Sequence, residues 1–311
     1  MPFRRVSGPG QHPGLGIALG GGVARGWAHI GVMKAIDEAE LPVRMVAGTS
    51  IGALVGGCYM AGKLPELEEF AKTLTPRRLL GFFDLSLRGS GLIAGMKLAE
   101  RMEDHLEGTL IEDLPGTFVC VAAEITTGHE IWLSSGSLID AIRASYALPG
   151  IFEPIELDGR VLVDGAIVNP VPVSPCRAYE CSVVIAVNLA SEQYGRGAVV
   201  RTTRPHNVGT ALDAARTGAS VPARTIWRKL FGTRDETIGI TGVMMEAFNI
   251  IQDRITRSRL AGDPPDLTLS PPVDVIGLAD FHRAEECIAI GYAATMARMD
   301  KLERAAAASL E

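Results

Sequence analysis

The sequence predicts an α/β protein whose central sheet is mostly parallel and covered by helices on both faces. Residues 15–19, 118–125 and 182–189 are nearly continuous apolar runs, which is typical of strands buried on both faces. Segments with a helical spacing of apolar residues separate these runs. Alternation of buried strands with helices is the pattern of a parallel sheet between two helical layers.

The composition is that of an ordinary globular protein. The chain has 311 residues, of which 47% are hydrophobic and 21% charged, enough for one large domain or two smaller ones. The net charge of -6 disfavours a general nucleic-acid binder. Five scattered cysteines without a CxxC pair indicate free thiols in a reducing compartment, so we expect a cytoplasmic protein without a metal site.

Both ends of the chain are set apart from this core. Residues 1–14 contain two arginines with no apolar segment after them, which favours a flexible lead-in over a signal peptide. Residues 308–311 are interpreted as a tail of the kind that cloning leaves.

The first predicted strand leads directly into a glycine-rich loop. Residues 20–26 are Gly-Gly-Gly-Val-Ala-Arg-Gly, and a helix is predicted at 27–39. Such a loop exposes backbone N–H groups at a helix N-terminus, which suits an anion. The phosphate-binding pattern GxxxxGK[ST] and the dinucleotide pattern GxGxxG both fail here, so a transient oxyanion fits better than a nucleotide. Arg25 is open to three interpretations: a surface residue, a clamp on the loop or a direct ligand contact.

Ser50 lies in a Gly-x-Ser-x-Gly pattern between an apolar run and a helix of small residues. Gly48 and Gly52 flank it. We expect Ser50 on a sharp strand-to-helix turn, with its hydroxyl at the helix N-terminus and room for neighbouring backbone beside the glycines. An alternative is a membrane span over residues 45–62, which carry no charge. The glycines and the preceding Pro42 favour a buried helix of a soluble protein.

A second candidate site residue follows a predicted hairpin. Asp158 and Gly159 form a turn signal, residues 161–163 are a strand, and Asp164 stands at its end. Asp164 can be a turn residue, as is common at Asp-Gly, or a carboxylate that points towards the same pocket as Ser50. The other predicted elements are helices at 66–74, 97–106, 137–146, 242–260 and 279–307 and strands at 130–133 and 267–269.

A basic segment at residues 192–241 interrupts this pattern. Between residues 193 and 234 it holds eight basic residues and one acid. Residues 224–234 mix Trp227 and Phe231 with these cations, as expected of a surface that rests on anionic lipid headgroups. The alternative is a solvated insertion. The first interpretation adds peripheral contact at the inner membrane face to the cytoplasmic location.

Serine hydrolysis needs a nucleophile, a base and donors for the oxyanion. Ser50 and the glycine loop supply two of these. The later histidines that could act as the base are His105, His129, His206 and His282. None stands in a recognisable local motif, so a dyad of Ser50 and Asp164 explains the sequence with fewer assumptions.

Four blocks of the chain, in this order, resemble the patatin-like phospholipases, especially the bacterial branch similar to neuropathy target esterase. The blocks are residues 20–32, 48–52, 144–154 and 164–166, within a resemblance that covers roughly residues 15–189. The resemblance implies a three-layer α/β/α fold related to that of α/β-hydrolases. It also implies lipid acyl hydrolase activity with no metal or other cofactor.

Carried over by position, the resemblance assigns Ser50 as the nucleophile and Asp164 as the group that takes and returns its proton. The backbone N–H groups of Gly22 and Val23, with Gly21 as a further candidate, would form the oxyanion hole. Val23 stands where the family often has a third glycine. Ala166 replaces the usual second glycine of Asp-Gly-Gly. The residues that support these motifs are Gly20, Arg25, Gly26, Gly48, Gly52, Gly165 and Ala166.

The catalytic domain is expected over residues 15–307, with the basic segment as an insertion. The expected partner is a phospholipid, a lysophospholipid or a simpler acyl ester, and not a nucleic acid. Two other functions stay open: transfer of the acyl group from Ser50 to another acceptor, and a non-catalytic, membrane-associated regulatory module that keeps the fold.

Overall fold

A computed structural model describes residues 14–75, 105–190 and 240–309. The predictions for the lead-in, for most of the helix at 97–106 and for the basic segment, including residues 224–234, lie outside these ranges.

An eight-stranded sheet runs through the described part of the chain. The strands are β1 (Leu15–Leu19), β2 (Val43–Thr49), β3 (Thr117–Glu124), β4 (Glu130–Leu133), β5 (Ile155–Leu157), β6 (Arg160–Asp164), β7 (Val183–Val187) and β8 (Leu267–Leu269). Their hydrogen-bonded order is β5-β6-β3-β2-β1-β7-β8, with β4 paired to β3. The pairs β1–β2, β1–β7, β2–β3 and β7–β8 are parallel, whereas β3–β4, β3–β6 and β5–β6 are antiparallel. The mostly parallel central sheet is therefore confirmed.

Helices connect and cover the strands. A single helix is predicted at residues 279–307, but the structure has two helices there, Ala284–Met296 and Met299–Ala308, separated by a turn at residues 297 and 298. The helices are α1 (Ala28–Glu38), α2 (Ile51–Met60), α3 (Leu64–Thr73), α4 (Leu138–Tyr146), α5 (Val173–Ala178), α6 (Ile240–Gly262), α7 (Ala284–Met296) and α8 (Met299–Ala308). Short 3-10 turns stand at Val23–Trp27, Ile111–Asp113, Gly165–Ile167 and Phe281–Arg283.

Successive residues of β1 point into two different layers. Ile17 and Leu19 belong to the larger cluster of buried side chains, together with residues of α1, α2 and α7. Ala18 packs in a second cluster, which includes residues of α5 and is flanked by Leu260 of α6. Because side chains alternate along a strand, both faces of the sheet are buried. The three-layer α/β/α architecture is confirmed.

α1 and α7 cross in close contact through two glycines. A Cβ atom on Gly31 would clash with the carbonyl oxygen of Ile288, and one on Gly291 would clash with the carbonyl oxygen of Ala28. The contact is reciprocal, so neither helix can carry a side chain at the crossing. It ties the C-terminal part of the chain to the helix that follows the glycine loop.

Within the described ranges, no helix combines the length and the apolar character that a membrane crossing requires. Residues 45–62 divide between β2, the turn at Ser50 and α2, so the alternative of a membrane span there is wrong. All five cysteines are buried and free.

Gly31→Ala is expected to lower the free energy of unfolding by about 1–3 kcal/mol, because the added methyl group must push α7 away from α1. Gly262→Ala is the matched control, since a Cβ atom there has no heavy atom within 4 Å, and its stability should be unchanged or slightly higher. Chemical denaturation measures both variants. Equal unfolding midpoints for the two would contradict the close crossing.

Candidate active site

Ser50 occupies the turn between β2 and α2 in a strained backbone conformation. Its φ is 58° and its ψ is -126°, a region that L-residues rarely adopt. The turn is possible because Cβ atoms on the flanking glycines would clash with neighbouring backbone: Gly48 with Ala53, and Gly52 with the carbonyl oxygen of Leu19. The sharp strand-to-helix turn expected for Ser50 is present.

Ser50 and Asp164 are joined by a buried hydrogen bond. The Ser50 Oγ donates to Oδ2 of Asp164 at 2.7 Å. The other carboxylate oxygen, Oδ1, accepts the N–H of Ala166 at 2.8 Å. The two residues are 9% and 2% exposed. The carboxylate is thus oriented by the 3-10 turn that follows it, with one oxygen left to face the serine.

The sheet brings these residues together because β2 and β6 meet end to end on one edge of β3. β2 pairs with β3 as far as Val121, and β6 pairs with β3 from Ala122 onward. β4 pairs with residues 120–123 of β3. This range overlaps the residues of β3 that pair with β2 and those that pair with β6, so β4 lies along the opposite edge of β3. The two strands run towards each other, and their C-terminal ends place Ser50 and Asp164 side by side.

Burial raises the pKa of the Asp164 carboxyl from its usual 3.8 to about 7. The hydrogen bonds from Ser50 and from the N–H of Ala166 oppose this shift but do not cancel it. Asp164 therefore changes its protonation state near neutral pH. Such a group can accept a proton and return it at little cost.

The glycine loop lies against Ser50 and against Ala166, which follows Asp164 by two residues. A Cβ atom on Gly21 would stand 3.4 Å from the Cβ of Ala166 and 3.7 Å from the Cβ of Ser50. The N–H of Gly20 donates to the carbonyl oxygen of Val187 at 3.1 Å, and that of Gly21 donates to the carbonyl oxygen of Pro170 at 2.9 Å. The N–H of Gly21 is therefore already engaged in holding the loop.

Gly22 and Val23 form the part of the loop whose N–H groups donate to no described residue. Val23 has a φ of 51°, which is strained for a β-branched side chain. A glycine would adopt this conformation without strain, so the replacement noted in the sequence has a local conformational cost. The loop keeps the left-handed turn nonetheless.

Arg25 and His29 fix the loop through hydrogen bonds to backbone carbonyl oxygens. Arg25 is 7% exposed, and its Nε donates to the carbonyl oxygen of Ile276 at 2.8 Å, which matches the interpretation of Arg25 as a clamp. The His29 Nε2 donates to the carbonyl oxygen of Gly20 at 2.7 Å. Burial lowers the pKa of His29 to about 4, so its ring is neutral. A Cβ atom on Gly26 would clash with the side chain of Ile51, so the loop also packs directly on the start of α2.

Two hydrogen bonds that support the turn at Ser50 join residues that no sequence pattern connects. Ser145 of α4 accepts the N–H of Ser50 through its Oγ at 2.9 Å. Thr49, next to Ser50, donates its Oγ1 to the carbonyl oxygen of Asn169 at 2.8 Å. Both contacts join residues that lie 95 or more positions apart. Ser145 falls in a block that carries the family resemblance, but its partner could not be read from that block.

The side chain of Asn169 continues this network away from Ser50. Its Nδ2 donates to Glu130 Oε1 at 2.7 Å and to Ser174 Oγ at 3.0 Å. Arg259 of α6 donates to the other oxygen of Glu130 at 2.6 Å. The network connects β4, α6 and the loop after Asp164. It therefore fixes the outer end of the segment that carries the carboxylate.

Of the candidate histidines that the structure describes, which are His105, His129 and His282, none is the hydrogen-bond partner of Ser50 Oγ, which donates to Asp164. His105 is exposed. His129 is exposed, with its Nδ1 3.9 Å from Oε2 of Glu124. His282 lies in the 3-10 turn before α7. His206 lies outside the described ranges. Among the residues that the structure describes, no group of three or more His, Cys, Asp or Glu side chains could hold a metal ion.

Comparison with known proteins identifies the family of the chain. A family model described as patatin-like phospholipase matches residues 17–177, the range that holds the glycine loop, Ser50 and Asp164. An uncharacterized NTE family protein of Mycobacterium tuberculosis is 34% identical, over 96% of this chain and 96% of its own length. The chain belongs to the patatin-like phospholipase family. Family membership indicates a lipid acyl hydrolase.

Relatives with named activities are longer proteins. A lysophospholipase of Emericella nidulans is 27% identical over 93% of this chain, which corresponds to 18% of its own length. The neuropathy target esterase sws of Drosophila melanogaster is 33% identical over 57% of this chain and 13% of its own length. Among solved structures, VipD from Legionella pneumophila matches with a TM-score of 0.48 and 14% identity, over 94% of this chain and 67% of that chain.

Asp164→Asn is expected to stabilise the protein at pH 8 more than at pH 5. The folded state binds the Asp164 proton more tightly than the unfolded state, so its favourable contribution is present below about pH 4 and is lost as the pH rises through about 7. Asparagine removes this pH-dependent loss. The melting temperatures of both proteins at the two pH values give a double difference that cancels all other titrating groups. If the melting temperatures of Asp164→Asn and wild type differed by the same amount at pH 5 and at pH 8, the raised pKa of Asp164 would be contradicted.

Proposed function

We propose that this chain is a serine lipid acyl hydrolase that uses Ser50 as its nucleophile and Asp164 as its base. The observation that carries the proposal is the 2.7 Å hydrogen bond from Ser50 Oγ to Asp164 Oδ2, made by a serine held at a φ of 58° at the start of a helix. Activated nucleophiles are recognised by a base within hydrogen-bond reach that is itself oriented by a third group. The N–H of Ala166 is that third group.

The first half of the reaction forms an acyl-enzyme. Ser50 Oγ attacks the carbonyl carbon of the ester while Asp164 takes its proton. The carbonyl oxygen becomes an oxyanion, and the tetrahedral intermediate then expels the alcohol, which receives the proton from Asp164. In the second half, water attacks the acyl group as Asp164 accepts its proton. Collapse releases the fatty acid and returns the proton to Ser50 Oγ.

The proposed oxyanion hole consists of the N–H groups of Gly22 and Val23. The neighbouring N–H of Gly21 bonds to the carbonyl oxygen of Pro170 and that of Ser50 bonds to Ser145, so neither is free to stabilise the intermediate. Gly22 and Val23 are next in the loop that touches Ser50. Loss of one such donor typically costs about 10²–10³ in turnover.

The substrate class follows from family membership. We propose a phospholipid, a lysophospholipid or a simpler carboxylic ester, because relatives bear the names lysophospholipase and neuropathy target esterase. Release of free fatty acid distinguishes hydrolysis from transfer of the acyl group to another acceptor. Peripheral membrane contact through residues 224–234 stays a prediction, since these residues lie outside the described ranges.

Ser50→Ala is expected to abolish both hydrolysis of p-nitrophenyl butyrate and labelling by a fluorophosphonate, because the acyl-enzyme can no longer form. Asp164→Asn should lower kcat by about 10²–10⁴, the usual contribution of a positioned base. Fatty acid release from lysophosphatidylcholine provides a second assay. Ser182→Ala, which removes a hydroxyl bonded to the carbonyl oxygen of Ser309, is the control and should retain activity. Full activity of Ser50→Ala would refute the proposal.

The pH dependence of kcat/KM provides an independent check. Asp164 must be ionised to accept the proton from Ser50, and burial raises its pKa to about 7. We therefore expect kcat/KM to rise about tenfold per pH unit below this pKa and to level off above it. A profile that stays flat down to pH 5 would argue against Asp164 as the base.

A further inference from the structure

Ser145 stands between the nucleophile and the sheet. It lies in the last turn of α4 and is 0% exposed. Its Oγ accepts the N–H of Ser50 at 2.9 Å and donates to the carbonyl oxygen of Val121 at 2.6 Å. A single hydroxyl thus serves as acceptor for the nucleophile's backbone and as donor to β3.

The position of this hydroxyl follows from the sheet geometry. β2 stops pairing with β3 at Val121, and β6 begins at Ala122. The chain turns away from β3 at Ser50, so the backbone groups at this junction need a partner from outside the sheet. The hydroxyl of Ser145 reaches both Val121 and Ser50. It therefore links β3 to the turn at Ser50, at the point where β2 and β6 meet.

The same end of α4 also holds the base. The carbonyl oxygen of Ala147, two residues after Ser145, accepts the N–H of Asp164 at 2.9 Å. The residue pair Ser145 and Ala147 therefore contacts the backbone of both Ser50 and Asp164. A shift of this helix end relative to β3 would move the two reacting side chains relative to each other.

We propose that Ser145 is a positioning residue that holds Ser50 in its strained conformation so that Oγ points at Asp164. The inference rests on the proposed function and deepens it. A serine at a φ of 58° is strained, and this conformation persists only where surrounding contacts enforce it. Removal of the hydroxyl leaves the buried N–H of Ser50 and one lone pair of Val121 without this partner.

Ser145→Ala is expected to lower kcat by about 10–100-fold with KM nearly unchanged, since small misplacements of reacting groups cost up to about this factor. Ser145→Thr keeps a hydroxyl that donates and accepts, so it should recover most of the lost kcat. Ser145→Cys, a second variant of similar shape with weaker hydrogen bonding, should fall between wild type and Ser145→Ala.

Thr295→Val is the matched control for loss of a buried hydroxyl. Thr295 is 0% exposed, and its Oγ1 donates to the carbonyl oxygen of Gly291 at 2.8 Å within α7, away from Ser50. We expect this variant to lose thermal stability while its kcat stays within about twofold of wild type, because surface and core changes outside a site act on stability. Rates are normalised to the fraction of enzyme that folds, measured by circular dichroism.

The pH profile adds a readout that a purely structural role would not move. The hydrogen bond from Ser50 lowers the pKa of Asp164, so loosening this bond in Ser145→Ala should shift the midpoint of kcat/KM to higher pH. Labelling by a fluorophosphonate should slow in parallel with kcat. Both effects should reverse in Ser145→Thr.

The outcomes separate the two proposals. A Ser145→Ala enzyme with unchanged kcat and pH midpoint, but with the same stability loss as Thr295→Val, would overturn the positioning role and leave the dyad intact. A Ser145→Thr enzyme that has the thermal stability of wild type and is no more active than Ser145→Ala would also overturn it. Activity that survives Ser50→Ala would refute the hydrolase mechanism itself, whatever Ser145 does.

Discussion

One edge of β3 carries two strands that approach each other from opposite ends, and the hydrogen bond between Ser50 and Asp164 lies where they meet. The other features of the site depend on this junction. The turn at Ser50 is sharp because β2 must leave β3 before it reaches β6. Asp164 is buried because it ends a strand inside the sheet, and that burial raises its pKa to about 7. The geometry that creates the pair thus also sets its proton affinity.

Local patterns accounted for much of the fold and for both proposed catalytic residues. The strand, glycine loop and helix at the start of the chain are encoded by neighbouring residues, as are the Gly-x-Ser-x-Gly turn and the hairpin before Asp164. The sequence also predicted a buried, mostly parallel sheet, because its central strands are apolar without alternation. The break between α7 and α8 was missed, since residues 297 and 298 carry no glycine or proline to mark a turn.

Contacts between distant residues could not be predicted in the same way. The hydroxyl of Ser145 meets the N–H of Ser50 because the C-terminal end of α4 lies beside the turn between β2 and α2, and nothing near either residue in the sequence specifies this. The sequence makes the N–H of Gly21 a candidate oxyanion donor, whereas in the structure it bonds to the carbonyl oxygen of Pro170; a loop sequence does not reveal which of its N–H groups are engaged. Arg259 and Glu130 likewise belong to elements that are far apart in the chain. A sequence pattern marks the proposed catalytic groups more readily than the groups that hold them.

The hydrogen bonds that support the glycine loop determine how much of the chain a folded catalytic domain needs. The N–H of Ala24 donates to the carbonyl oxygen of Leu278, the Arg25 side chain to Ile276, and the Cys287 thiol to the carbonyl oxygen of Arg25. All three partners lie beyond residue 177, where the match to the family model stops. The recognisable motif region is therefore shorter than the smallest fragment that can keep the loop in shape. A truncation designed from the motifs alone would retain every proposed catalytic residue and still lose the scaffold that aligns them.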